Sequence, residues 1–119
     1  MSGRISVRES GDVALVELCN ETKLNALSFT MWQELRRAIS DLSQDPALRC
    51  IRIKGAGEEA FSAGADISEF ADTRSTFEQV VAFHEDGVGA CLDAFLTCPI
   101  PIVAEIRGVR YIDDSKGTN

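Results

Sequence analysis

The chain has 119 residues, which is the length of one small domain. Hydrophobic residues make up 45% of the sequence and charged residues 26%, and this composition excludes a disordered, collagen-like or fibrous protein. Twelve basic residues stand against nineteen acidic ones, so the formal net charge is −7 and general binding to nucleic-acid phosphates is disfavoured. No apolar run approaches the roughly 18 residues of a membrane span.

The cysteines indicate the compartment. Cys19, Cys50, Cys91 and Cys98 are scattered, and His84 is the sole histidine, so the spacing fits neither a zinc site nor a dense disulfide framework. The first ten residues lack the apolar segment of a secretion signal. We therefore expect a cytoplasmic protein with reduced thiols and no bound metal.

The first third of the chain predicts a β-hairpin followed by a helix. Apolar residues alternate around residues 5–7 and again over 13–18, and a turn at 9–12 joins the two predicted strands. Thr30 and Gln33 then resemble a capping box, and apolar residues recur at helical spacing until an Asp-Pro pair ends the pattern. This segment predicts an amphipathic helix.

The remainder predicts two further strands, a loop and a long helix. Residues 49–54 alternate as a strand, residues 55–65 contain three glycines and form a loop, and a short helical turn starts near Asp66. Residues 76–96 predict a helix with a bend or close contact at its internal glycines, and 102–106 a buried strand. The apolar face of that helix comprises Phe77, Val80, Val81, His84, Val88, Cys91, Leu92 and Phe95. The element order indicates an α/β fold.

The loop at Gly55 contains a literal match to a dinucleotide-binding fingerprint, Gly55-x-Gly57-x-x-Ala60. That fingerprint must open a helix directly, whereas here the small residues continue as a loop. The paired acids Glu58 and Glu59 would also face the pyrophosphate. A flexible turn is therefore favoured over a nicotinamide-dependent oxidoreductase.

A second candidate lies at Ala63, Gly64 and Ala65, whose small side chains leave the backbone open just before the predicted helical turn. Backbone N–H groups in such a place can point at an oxygen that gains negative charge, which is the arrangement acyl chemistry needs. The alternative is that the small residues allow tight packing and that Asp66 merely caps the helix.

Three segments in order carry a resemblance to a known family: Lys23-Leu24-Asn25-Ala26-Leu27, residues 61–67 and residues 101–108. Together they resemble the enoyl-CoA hydratase/isomerase (crotonase) family from about residue 5 to residue 109. The resemblance implies an α/β fold, a partial crotonase-like spiral of ββα units truncated before the second half of the active site. Residues 1–109 would be the N-terminal part of that domain, and residues 110–119 a divergent, disordered tail.

The same resemblance implies the site. The ligand is an acyl-CoA thioester, with coenzyme A as part of the substrate and no further cofactor, and the backbone N–H of Ala65 forms one half of an oxyanion hole. The substrate-binding residues implied are Lys23, Ala26, Ala63, Gly64, Asp66 and Ile67. Lys23 and Ala26 match positions near the coenzyme A phosphates and adenine, although an exposed lysine remains the alternative for Lys23, and Asn25 can instead support the turn. Members assemble as trimers or hexamers.

The resemblance stops after residue 109. The family's glycine triplet, which supplies the second oxyanion donor, falls on Asp113, Asp114 and Ser115, and its first catalytic glutamate falls on Gly117. We therefore expect a fragment resembling an enoyl-CoA hydratase, a lyase of fatty acid metabolism, that is inactive alone. The alternatives are an isomerase or hydrolase of the same family, or a non-catalytic acyl-CoA-binding or subunit-interaction module. His84 is expected to be a packed or interface residue rather than a base.

Overall fold

The computed structural model of the chain describes residues 3–66, 77–106 and 109–112, the last range for its backbone only. At the centre lies a five-stranded sheet whose strands are adjacent in chain order. These strands are β1 (Arg4–Ser10), β2 (Val13–Cys19), β3 (Cys50–Gly55), β4 (Ile102–Ile106) and β5 (Val109–Ile112). The pairs β1–β2 and β4–β5 are antiparallel, while β2–β3 and β3–β4 are parallel. The predicted hairpin and the two later strands are confirmed.

Helices provide the crossovers between the parallel strands. Helix α1 (Phe29–Leu42) connects β2 to β3, and a 3-10 turn (Glu21–Lys23) precedes it. Between β3 and β4 lie α2 (Phe77–Ala82), a π-helical segment (Phe83–Gly89) and α3 (Ala90–Thr97). The architecture is α/β, as the sequence predicted, and begins with a hairpin followed by a crossover helix, which is one ββα unit.

One face of the sheet builds the hydrophobic core. Side chains alternate across a strand, so every second residue of the central strands points to the same side. The buried residues on that side of the sheet are Ala14, Val16, Leu18, Ile51, Ile53 and Ile102. They pack against buried helix residues spaced one turn apart, which are Met31, Leu35, Ile39 and Leu42 of α1 and Cys91 and Ala94 of α3. The apolar faces of the helices and of the sheet therefore pack together in one layer.

The start of α1 differs from the sequence prediction. Ser28, not Thr30, is the N-cap, and its hydroxyl accepts a hydrogen bond from the backbone N–H of Met31 at 3.1 Å. Ser28 has the extended backbone that an N-cap requires, with φ −71° and ψ 166°, whereas Thr30 already lies within the first helical turn. The capping box proposed for Thr30 and Gln33 is therefore wrong by two residues.

The predicted apolar face of the second helix is also only partly right. A continuous α-helix was expected, but the π-helical segment places successive residues at a wider spacing and rotates the face. Phe83 and Gly87 are buried instead, while Phe77 is 80% exposed and His84 is exposed. His84 is therefore not packed within this chain, and the alternative that it lies at an interface stays a prediction. Gly87 lies against the ring of Phe29, which confirms a close contact at this glycine.

The four cysteines are free, as predicted, and Cys91 and Cys98 are buried. Burial raises the pKa of the Cys91 thiol to about 12, so this side chain is an uncharged core group at neutral pH. Within the three described ranges, no helix combines the length and apolar content that crossing a membrane requires.

The proposed tail at 110–119 needs correction. Residues 110–112 belong to β5, which pairs with the edge of β4 so that Arg110 stands opposite Glu105. A short segment without marked periodicity becomes a strand here because β4 offers it hydrogen-bonding partners. Residues 113–119, including the positions expected to replace the glycine triplet and glutamate, lie outside the described residues.

Candidate active site

Two segments separated in sequence lie side by side at the end of the sheet. Leu27 and Ala65 form a parallel β-bridge. The N–H of Leu27 donates to the carbonyl oxygen of Gly64 at 2.7 Å, and the N–H of Asp66 donates to the carbonyl oxygen of Leu27 at 2.9 Å. The structure therefore brings together two of the three segments that carried the family resemblance.

This pairing fixes the direction of the Ala65 N–H group. In a paired extended segment, successive backbone groups point to opposite sides. The Gly64 carbonyl and the Asp66 N–H both face Leu27, so the N–H of Ala65 faces the other way. None of the described residues accepts a hydrogen bond from it. A backbone donor is therefore held in a fixed orientation and directed away from its own β-bridge.

Gly64 leaves space beside that donor. Its φ of +93° lies in a region that residues with a side chain rarely adopt, and a Cβ built on it meets nothing within 4 Å. Ala63 and Gly64 are both exposed, and the N–H of Gly64 donates to the hydroxyl oxygen of Ser62 at 3.0 Å. The loop thus combines a fixed backbone with an unobstructed outer side.

Lys23 and Asp66 form an ion pair across the two segments. The Lys23 Nζ lies 3.2 Å from Oδ2 of Asp66, with the lysine side chain 47% exposed and the aspartate side chain 8% exposed. Lys23 is thus partly available to an anionic ligand while it also compensates a buried carboxylate. Ala26, which follows Lys23 by three positions, is buried. Ile67 and the helical turn predicted near it lie outside the described residues.

The side chains of two asparagines, Asn20 and Asn25, form hydrogen bonds with the backbone that surrounds the site. The Asn25 carbonyl oxygen Oδ1 accepts from the backbone N–H of Asn20 at 2.9 Å, and its Nδ2 donates to the carbonyl oxygens of Ala56 and Ala60 at 3.0 and 2.9 Å. Asn20 Nδ2 in turn donates to the carbonyl oxygen of Ala26 at 2.9 Å. The proposed turn-supporting role of Asn25 is confirmed. Asn20 was missed, since a single asparagine after a strand gives no signal of its partner.

The loop after β3 does not form a dinucleotide site. Gly55 ends β3, residues 56–59 form bends, and residues 56–66 contain no helix. A fingerprint of this type places the pyrophosphate on a helix N-terminus. The turn interpretation is therefore confirmed for this loop.

An apolar cleft of about 490 Å³ lies between the sheet and the helices on the core side. Its lining includes Leu27, Phe61, Cys91, Leu92, Phe95 and Ala104. The indole nitrogen of Trp32, another lining residue, is buried and lacks a hydrogen-bond partner within the described part of the chain.

Comparison with known proteins gives a consistent result. The family model for enoyl-CoA hydratase/isomerase matches residues 8–111. A mitochondrial 3-hydroxyisobutyryl-CoA hydrolase of Gallus gallus is 33% identical over 105 residues, which is 88% of this chain. A delta(3,5)-delta(2,4)-dienoyl-CoA isomerase of Pyricularia oryzae is 32% identical over 81% of this chain.

A solved structure shares the fold. The enoyl-CoA hydratase/carnithine racemase of Magnetospirillum magneticum superposes with a TM-score of 0.81 and 35% identity over 86% of this chain. The chain spans 27% of the length of the hydrolase, 34% of the isomerase and 38% of the solved structure. With a family model that matches nearly the whole sequence and a crotonase fold, the chain belongs to the enoyl-CoA hydratase/isomerase family.

Proposed function

We propose that the chain binds an acyl-CoA thioester and that the thioester carbonyl oxygen accepts a hydrogen bond from the Ala65 N–H. The observation that supports this most is the β-bridge between Leu27 and Ala65, in which the Ala65 N–H points away from Leu27. The open space next to Gly64 gives a thioester oxygen room to approach.

This arrangement suits a reaction in which the carbonyl oxygen gains negative charge. A preorganised donor aimed at such an oxygen stabilises the transition state, and losing one costs about 10²–10³ in rate. We propose that a complete site of this kind adds water to a 2-enoyl-CoA, which is a lyase reaction of fatty acid metabolism. Coenzyme A is then part of the substrate and not a separate cofactor.

Hydration also needs an acid and a base near the α-carbon and the water. The carboxylate next to Ala65 is Asp66, which is buried and paired with Lys23, so we do not assign it that role. The family's glycine triplet, which holds the second donor, falls on Asp113, Asp114 and Ser115 in this sequence, and its glutamate falls on Gly117, which has no side chain to act as acid or base. We therefore propose that the 119-residue chain alone gives no measurable hydration.

A hydrolase is the second candidate, because one similar protein is a 3-hydroxyisobutyryl-CoA hydrolase. Hydrolysis of a thioester and hydration of its double bond use the same carbonyl donor, so Ala65 would serve both. Isomerisation and non-catalytic acyl-CoA binding remain further alternatives. These reactions differ in product, which is either free coenzyme A, a hydroxyacyl thioester, a shifted double bond or unchanged ligand.

For coenzyme A itself, we propose that Lys23 contacts the phosphates and that Ala26, Ala63, Gly64, Asp66 and Ile67 shape the groove. The half-exposed Lys23 side chain supports this, since an acidic chain needs a local cation for an anionic ligand. We also propose that the protein assembles into trimers or hexamers and lies in the cytoplasm.

The experiment combines binding and turnover on the full 119-residue chain. Calorimetric titration with butyryl-CoA, which lacks the reactive double bond, should show binding that is weakened in Ala65→Pro, because proline has no N–H. Incubation with crotonyl-CoA should leave the conjugated thioester absorbance unchanged. Equal binding by both variants would contradict the assignment of Ala65. Turnover that disappears in Ala65→Pro would contradict the proposed inactivity but support the donor.

A further inference from the structure

We infer that Asn25 is a positioning residue for the Ala65 donor: its side-chain amide sets the orientation of the Ala65 N–H without touching the substrate. This inference rests on the proposed function of Ala65. It assigns the strength of the carbonyl hydrogen bond to a side chain on a different segment from the donor itself.

The bonds of Asn25 reach both sides of the loop that leads to the donor. Its side chain is buried, with the residue 1% exposed, and both N–H groups of Nδ2 have partners, the carbonyl oxygens of Ala56 and Ala60. Oδ1 accepts from the N–H of Asn20. One amide therefore ties the loop after β3 to the segment after β2, and a buried amide of this kind is costly to leave unpaired.

The donor segment is attached to the residues on either side of Asn25. The N–H of Ala63 donates to the carbonyl oxygen of Leu24 at 3.0 Å, and Leu27 holds both backbone neighbours of Ala65. Only a few residues separate Ala60, held by the Asn25 amide, from this pairing. A shift of the segment around Asn25 therefore reaches the Ala65 N–H through direct hydrogen bonds at both ends.

The backbone of Asn25 permits a clean variant. Its φ of 58° is left-handed, so Asn25→Gly keeps the backbone conformation accessible and removes only the side-chain bonds. The matched control is Leu24→Gly, because Leu24 is also left-handed, at φ 53°, and the residue is 47% exposed. The control adds the same glycine flexibility to the same turn and leaves the Asn25 amide in place.

The first measurement needs no ligand. Amide hydrogen exchange of Leu27 and Asp66 reports on the two hydrogen bonds that flank Ala65. We expect exchange at least tenfold faster in Asn25→Gly and within twofold of wild type in Leu24→Gly. Equal acceleration in both variants would show general loosening of the turn and would overturn the inference.

The second measurement uses butyryl-CoA labelled with ¹³C at the thioester carbonyl. Hydrogen bonding to the oxygen moves this resonance downfield, and we expect the wild type and Leu24→Gly to show the displacement and Asn25→Gly to lose at least half of it. A full displacement in Asn25→Gly overturns the inference and leaves the proposed function intact. Absence of a displacement in the wild type contradicts the proposed function and, with it, the inference.

Asn25→Asp keeps the test decisive if the glycine variant does not fold. It retains an acceptor for the N–H of Asn20 but faces the two carbonyl oxygens with a carboxylate. We expect loss of the carbonyl displacement at neutral pH and partial recovery as the introduced carboxyl gains a proton that it can donate. A displacement that is insensitive to pH and equal to wild type would overturn the inference.

Discussion

Replacing Gly64 by alanine tests the loop geometry, because Gly64 has a backbone conformation that favours glycine. With φ at +93° and no atom within 4 Å of a Cβ, the substitution meets no steric obstacle, and its cost is conformational. Such a conformation costs a residue with a side chain about 1–2 kcal/mol. Relief of that strain rotates the peptide that carries the Ala65 N–H. We therefore expect the affinity for butyryl-CoA to fall about 5- to 30-fold, which is the same free energy expressed as an equilibrium ratio.

Gly11→Ala is the matched control. Gly11 lies in the turn between β1 and β2 with φ +64°, and a Cβ there also meets nothing within 4 Å. Because strain that the free loop relieves by rotating appears in binding rather than in folding, urea denaturation should show a smaller loss of unfolding free energy for Gly64→Ala than for Gly11→Ala. Calorimetric titration should show weakened binding for Gly64→Ala alone. Unchanged affinity in Gly64→Ala, or an equal loss in Gly11→Ala, would refute the reasoning that this loop presents the donor.

Three further substitutions test the cap, the buried thiol and the cation. Ser28→Ala should lower the free energy of unfolding by about 1 kcal/mol in urea denaturation, while Thr30→Ala should change it far less; the reverse order would restore the capping box. Burial raises the pKa of the Cys91 thiol from 9.0 to about 12. Between these two pH values the thiol therefore keeps its proton in the folded chain and loses it in the unfolded chain. Its contribution to stability is therefore fully present below pH 9 and lost between pH 9 and 12, at about 1.4 kcal/mol per pH unit, and Cys91→Ala should lack this part of the slope when unfolding is followed against pH. Lys23→Ala should weaken binding of butyryl-CoA several-fold more than binding of butyryl-pantetheine, which has no adenosine phosphates; equal losses would place Lys23 away from the phosphates.

The fold was largely predictable because the pattern of apolar and polar residues indicates the strands. Val16 and Ile53 stand in patterns that fit only a half-buried strand, and the structure places them in the core. The helix details were less accessible. Ser28 and Thr30 are both good capping residues, and only the backbone angles show which one caps. His84 became exposed because the π-helical segment breaks the 3.6-residue period on which the prediction depended.

The segments of the candidate site could be named from the sequence, but their geometry could not. The resemblance singled out the segments around Lys23 and Ala65, and the structure joins them through an ion pair and a β-bridge. The direction of the Ala65 N–H depends on pairing with Leu27, which is distant in sequence, so no local pattern reveals it. Asn20 was missed because its partner, the carbonyl oxygen of Ala26, comes within hydrogen-bond distance only in the folded turn.

The central claim is that the Ala65 N–H binds a thioester carbonyl oxygen, and the amide resonance of Ala65 tests it most directly. In ¹H–¹⁵N spectra of the full chain, added butyryl-CoA should move the Ala65 amide proton downfield, because a new hydrogen bond forms to it. Free coenzyme A, which has the phosphates and adenine but no carbonyl, should shift resonances near Lys23 and leave Ala65 in place. An Ala65 resonance that responds equally to both ligands, or to neither while others shift, would contradict the account.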